Sequence, residues 1–208
     1  MKLIQSQNFE KRGRSKELVV ILHGNLSSPK KLSSVRRIVE EELPDADIYI
    51  PKLPTSLTSI TMPTIIVQNL LNDIDQIYAG NSGVQGAPNY NKIILIGHSL
   101  GALLARKLYV CACGEIPSAP IEPEISAKNT RVWAEKIERI VLLAGMNRGW
   151  RISHGLSLIN LFLWNIGIVF GNIFWILRRK PPLIFSIRKG APFITVSAAP
   201  TTPLTLLA

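Results

Sequence analysis

The segment Ile93-Ile94-Leu95-Ile96-Gly97-His98-Ser99-Leu100-Gly101 constrains this chain more than any other. Four aliphatic residues in a row run through a serine set between two glycines, and helical spacing follows at Leu103, Leu104, Lys107 and Leu108. An unbroken apolar strand needs cover on both faces, which a parallel sheet in an α/β protein supplies. A helix that starts at the strand's end must fold back over that sheet. Gly97 and Gly101 fit a turn too tight for side chains on either side of Ser99.

The same unit recurs along the chain. Glu17 to Leu22 is a short strand that ends at His23-Gly24. After it, Leu32, Val35, Ile38, Val39 and Leu43 keep helical spacing, with Ser28 as N-cap and Pro29 at the first helical position. Asp47 to Ile50 reads as a strand, Pro63 to Tyr78 as a helix with Ile66, Leu70, Ile74 and Ile77 on one face, and Ile137 to Ala144 as a further strand. Strands alternating with helices predict an α/β fold, a mostly parallel sheet with helices on both faces. The 208 residues are expected to form one domain.

Gly97-x-Ser99-x-Gly101 between a buried strand and a helix is the pattern of a nucleophile elbow, which lifts the serine Oγ onto an exposed corner. Attack on a carbonyl also needs donors for the oxyanion. The Leu100 N–H, at the helix start, is expected to be one. The second is expected from His23-Gly24-Asn25, where Gly24 keeps the backbone open and the Asn25 N–H would face the same pocket.

Together, Val19-Val20-Ile21-Leu22-His23-Gly24-Asn25 and Ile94-Leu95-Ile96-Gly97-His98-Ser99-Leu100-Gly101 resemble the lipase/esterase branch of the α/β-hydrolase superfamily over roughly residues 17 to 145. The resemblance implies Ser99 as nucleophile, Asn25 and Leu100 as oxyanion-hole positions, and a carboxylic ester, thioester or lipid as substrate.

Members of that superfamily order the triad as nucleophile, acid, then histidine. Here Asp45, Asp47, Asp73 and Asp75 all precede Ser99, no acidic residue follows Glu138, and the one histidine after the nucleophile is His154. Glu135 and Glu138 precede the strand at 139–144, so they fall at its N-terminal edge, whereas open α/β sheets bind at the carboxyl edge. His154 is therefore a candidate base without an identified acid, and His23 and His98 are read as structural neighbours of the site. The expectation is a fold that is C-terminally incomplete, as a truncated or frame-altered product would be. Its function is either a serine hydrolase of the carboxylic ester/lipase type or a catalytically inactive hydrolase-like protein that binds an acyl ligand, partner or membrane.

Composition bears on the partners. The net charge is +10, but Lys11, Arg12, Arg14 and Lys16, and the second group Arg178-Arg179-Lys180 with Arg188-Lys189, lack the interleaved aromatic residues of a single-strand nucleic-acid surface. No nucleic-acid partner is expected. Residues 156–177 carry no formal charge over 22 positions, long enough for a span but interrupted by Asn160, Asn165, Asn172, Gly167 and Gly171. Within 146–180 the chain forms an apolar cap or lid, a membrane-associating segment or buried core, and the basic residues up to Lys180 would suit an anionic membrane surface. Residues 196–208 form an irregular tail. The start lacks the apolar core of a signal peptide, so the expected location is cytoplasmic, with membrane association left open. Cys111 and Cys113 are assigned structural roles. Neither a phosphate loop nor a metal-spaced His/Cys cluster occurs, so no cofactor or metal is expected.

Overall fold

The computed structural model describes residues 9–12, 16–56, 59, 61–80, 90–115, 130–145 and 183. His154, the apolar segment 146–180 and the tail 196–208 lie outside the described residues, as does any judgement of C-terminal incompleteness.

In chain order the elements are β1 (Phe9–Glu10), β2 (Glu17–Leu22), α1 (Ser33–Glu42), β3 (Asp47–Tyr49), α2 (Pro63–Tyr78), β4 (Lys92–His98), α3 (Leu100–Ala112) and β5 (Ile137–Leu143). They build a five-stranded sheet in the order β1-β3-β2-β4-β5. β2, β3, β4 and β5 pair in parallel, while β1 closes the β3 edge antiparallel. The expected mostly parallel α/β sheet is therefore the observed one.

Alternation along the inner strands sorts side chains into two cores. Leu18, Val20, Leu22, Ile93 and Leu95 pack on one face with Ile66, Leu70 and Ile74 of α2 and Leu104 and Leu108 of α3. Val19, Ile21, Ile94 and Ile96 pack on the other with Leu32 and Val39. Because both faces are covered, the strands need no polar side, and their unbroken apolar runs follow from that cover.

Some local expectations shift. Helix α1 does not start at Pro29: residues Pro29–Leu32 form a 3-10 turn, Ser28 makes no side-chain cap, and the α-helix begins at Ser33. Tight 3-10 turns often open helices, and Pro29 suits one as well as it suits an α-helix. Ile38 is 55% exposed, because α1 turns Val39 onto the sheet instead, beside Leu32 of the preceding 3-10 turn. The third strand stops at Tyr49, one residue before the expected end.

The chain leaves β2 for β3 on one side and later returns to place β4 on the other. The carboxyl ends of β2 and β4 thus lie side by side where the strand order reverses, with Leu22 opposite Gly97. Such a reversal point is where open α/β sheets accommodate ligands.

Candidate active site

Ser99 sits at that reversal, between the last residue of β4 and the first of α3. Its backbone has φ 54° and ψ −115°, a left-handed value that a non-glycine residue adopts at a cost of about 1–3 kcal/mol. The conformation is held from both sides. The Ser99 N–H donates to the Leu143 carbonyl at the end of β5 at 2.9 Å, and the Ser99 carbonyl accepts the Ala102 N–H at 3.0 Å.

Both flanking glycines are required by contact. A Cβ on Gly97 would lie 2.6 Å from the Ala102 Cα, and one on Gly101 would lie 2.6 Å from the Leu22 carbonyl carbon. Helix α3 therefore begins with its backbone resting on the backbone of β2. Gly24 is the third close approach: a Cβ there would meet the Ser99 Cβ at 3.0 Å and the His98 carbonyl oxygen at 3.2 Å. The loop after β2 thus runs against the serine turn, and the structure brings Ser99, Leu100 and the Gly24-Asn25 segment together.

Leu100 is the first residue of α3 and is fully buried. The first N–H groups of a helix have no partner within it, and they carry the positive end of its dipole. Asn25 is half-buried and opens a turn with Leu26, whose φ is 52°.

His23 is fully buried. Its Nε2 accepts the Leu53 N–H at 2.9 Å, and its Nδ1 lies 2.9 Å from the Gly24 carbonyl oxygen. Those two bonds together require the neutral ring with the proton on Nδ1. Burial holds its pKa below the ordinary imidazole value, and the Gly24 bond opposes that shift. His23 is thus a structural residue of the loop. His98 has a buried Nδ1 with no hydrogen-bond partner among the described residues.

The carboxylates that precede Ser99 serve elsewhere. Asp47 accepts the Arg12 N–H and the Tyr90 hydroxyl, each at 2.6 Å; Asp73 accepts the Tyr49 hydroxyl at 2.6 Å; Asp75 accepts the Trp133 Nε1–H at 2.7 Å and pairs with Arg131 at 3.0 Å. Glu138 lies near the start of β5, 3.4 Å from Lys92, at the edge of the sheet remote from Ser99. Cys111 is a free, buried thiol pushed up to about 12, chiefly by burial, which keeps it protonated. Among the described residues no group of three or more His, Cys, Asp or Glu is placed to hold a metal, and no helix is long and apolar enough to cross a membrane.

Residues 13–128 match the family described as "Putative serine esterase (DUF676)". The chain belongs to this family. The match to this serine esterase family takes in β2 through α3, and with them Asn25, Ser99 and Leu100. Among solved structures the chain is similar to a lipase-esterase related protein from Clostridium acetobutylicum, with 14% identity over 91% of this chain and 66% of that one and a TM-score of 0.43. It is also similar to an acetylxylan esterase, with 15% identity over 69% and 76% of the two chains and a TM-score of 0.43. A third is the siderophore hydrolase EstB from Aspergillus fumigatus, with 16% identity over 91% and 59% and a TM-score of 0.44. The chain spans just under two thirds of the first of these and about three fifths of the last. No curated protein matches it.

Sequence reasoning missed Leu53 and Thr55, whose loop packs against the segment after β2. Leu53-Pro54-Thr55 has no period and no motif, and only its place after β3, beside β2 in a parallel sheet, hints at its position.

Proposed function

We infer that the chain hydrolyses a carboxylic ester through Ser99. The observation that carries this reading is the left-handed Ser99 turn, wedged between Gly97 and Gly101 at the carboxyl end of β4 and touched by the Gly24 loop. Ser99 Oγ attacks the ester carbonyl, and the C=O electron pair moves onto the oxygen to give a tetrahedral intermediate. The N–H groups of Leu100 and Asn25 stabilise that oxyanion. Collapse expels the alcohol and leaves an acyl-serine, which water then cleaves to acid and free enzyme. The proton shuttle falls to His154, the single histidine after the nucleophile. The substrate is an ester or lipid, and the uncharged run 156–177 is the stretch of sequence suited to cover an acyl chain or to meet a membrane surface.

A second reading is favoured by one observation: residues 139–208 contain neither Asp nor Glu that could orient His154. On that reading the same frame binds an acyl ligand, a partner or a membrane without turnover.

Hydrolysis of short and medium p-nitrophenyl esters by the wild type, Ser99→Ala and His154→Ala decides between them. Turnover lost in both variants supports the hydrolase with His154 as base. Turnover lost in Ser99→Ala alone keeps the nucleophile and removes His154. A wild type no faster than Ser99→Ala, and unlabelled by a fluorophosphonate, leaves the binding reading.

A further inference from the structure

A single buried residue of a neighbouring loop holds both flanks of Asn25. Thr55, 2% exposed, donates its hydroxyl to the Gly24 carbonyl oxygen at 3.2 Å. Its own carbonyl accepts the Leu26 N–H at 2.9 Å. The residues before and after Asn25 are thus both fastened to Thr55.

His23 adds the second bond to the Gly24 oxygen through Nδ1 and secures the Thr55 loop by accepting the Leu53 N–H on Nε2. The Thr55 N–H in turn donates to the Leu53 carbonyl at 2.9 Å, which tightens that loop. Both lone pairs of the Gly24 carbonyl are therefore spent on buried donors.

A trans peptide is planar, so its C=O and N–H point in opposite directions. Fixing the Gly24 carbonyl therefore fixes the direction of the Asn25 N–H. We propose that Thr55 is the positioning residue that aims the Asn25 N–H at the oxyanion formed on Ser99, with His23 as the second clamp on the same peptide. This rests on the reading of Ser99 as nucleophile. The clamp acts through backbone already in place before substrate arrives, which is the condition for a donor to favour the transition state over the bound ester.

The test compares full-length Thr55→Val, which keeps the shape without the hydroxyl, and Thr55→Ala with Thr55→Ser, which keeps the hydroxyl. Rates are normalised to the folded fraction measured by circular dichroism. Because a misaimed donor is costly, Thr55→Val and Thr55→Ala are expected to lower kcat by about 10–100-fold at nearly unchanged KM, with Thr55→Ser close to wild type. A residue that merely supports the fold would not produce that split or that rescue. Wild-type kcat in either hydroxyl-free variant overturns the proposal.

If wild type turns over no ester, the nucleophile reading falls, and the clamp is judged by nuclear magnetic resonance alone. Displaced Gly24 carbonyl and Asn25 amide resonances in the hydroxyl-free variants, restored in Thr55→Ser, support it. Unmoved resonances overturn it.

Discussion

The two edges of the sheet use their polar groups in opposite ways. At the carboxyl edge, around Ser99, backbone lies against backbone at Gly24, Gly97 and Gly101, the serine is strained, and the buried His98 Nδ1 has no partner among the described residues. At the amino edge and the ends of α2 and α3, charged and polar side chains meet in pairs: Asp47 with Tyr90 and Arg12, Asp75 with Trp133 and Arg131, and Lys107 with Glu115 in a buried ion pair at 2.7 Å that leaves Glu115 Oε2 without a hydrogen-bond partner among the described residues. One end joins its elements through paired side chains; the other brings backbone against backbone around a strained serine. Rigid scaffolds carry their binding loops, and their local backbone strain, in the same uneven way.

The sharpest way to break the contrast is Ser99→Ala. It is expected to remove about 10⁴-fold or more of ester turnover while leaving urea denaturation almost unchanged, because the lost hydroxyl belongs to chemistry and not to packing. At the opposite end Lys107→Met should do the reverse. It leaves Glu115 buried without its counter-charge and is expected to cost about 3–5 kcal/mol in the unfolding free energy, with much of that recovered when Glu115→Leu is added.

Gly24→Ala tests the boundary between the two behaviours. Its methyl must push on Ser99 and His98, so kcat should fall by about 10–100-fold with a smaller loss of stability. The pH dependence sharpens it further. Burial keeps His23 neutral in the folded chain below its ordinary value of 6.5. Between that value and the lower folded one the unfolded chain binds more protons, so stability falls as the pH falls. The melting temperature should decline as the pH is lowered below about 7, and more gently in His23→Gln. The smallest effect is Trp133→Phe, which loses the hydrogen bond to Asp75 and should cost about 1 kcal/mol by chemical denaturation.

Most of the frame was legible because it is written in apolar runs. Glu17–Leu22 and Pro63–Tyr78 have the bounds that their patterns predict, since a doubly covered strand and an amphipathic helix leave strong local signatures. β1 was not legible: two residues carry no period, and its strand is defined by the antiparallel pairing with Tyr49 and Ile48. Lys107 fell on the expected helical face, yet nothing local announced that Glu115, beyond the helix end, would meet it. The site divides in the same manner. Glycines around Ser99 are visible because close contact forbids other residues, whereas Thr55 reaches the site from 30 residues beyond Asn25 through a loop without pattern.

The seating of Gly101 on the Leu22 carbonyl carries a consequence for inheritance. Because main-chain atoms set the distance between the start of α3 and the end of β2, the seating of the serine turn on the sheet does not depend on which side chains line the surrounding surface. Descendants of such a chain are free to exchange those side chains while the turn beneath stays in register.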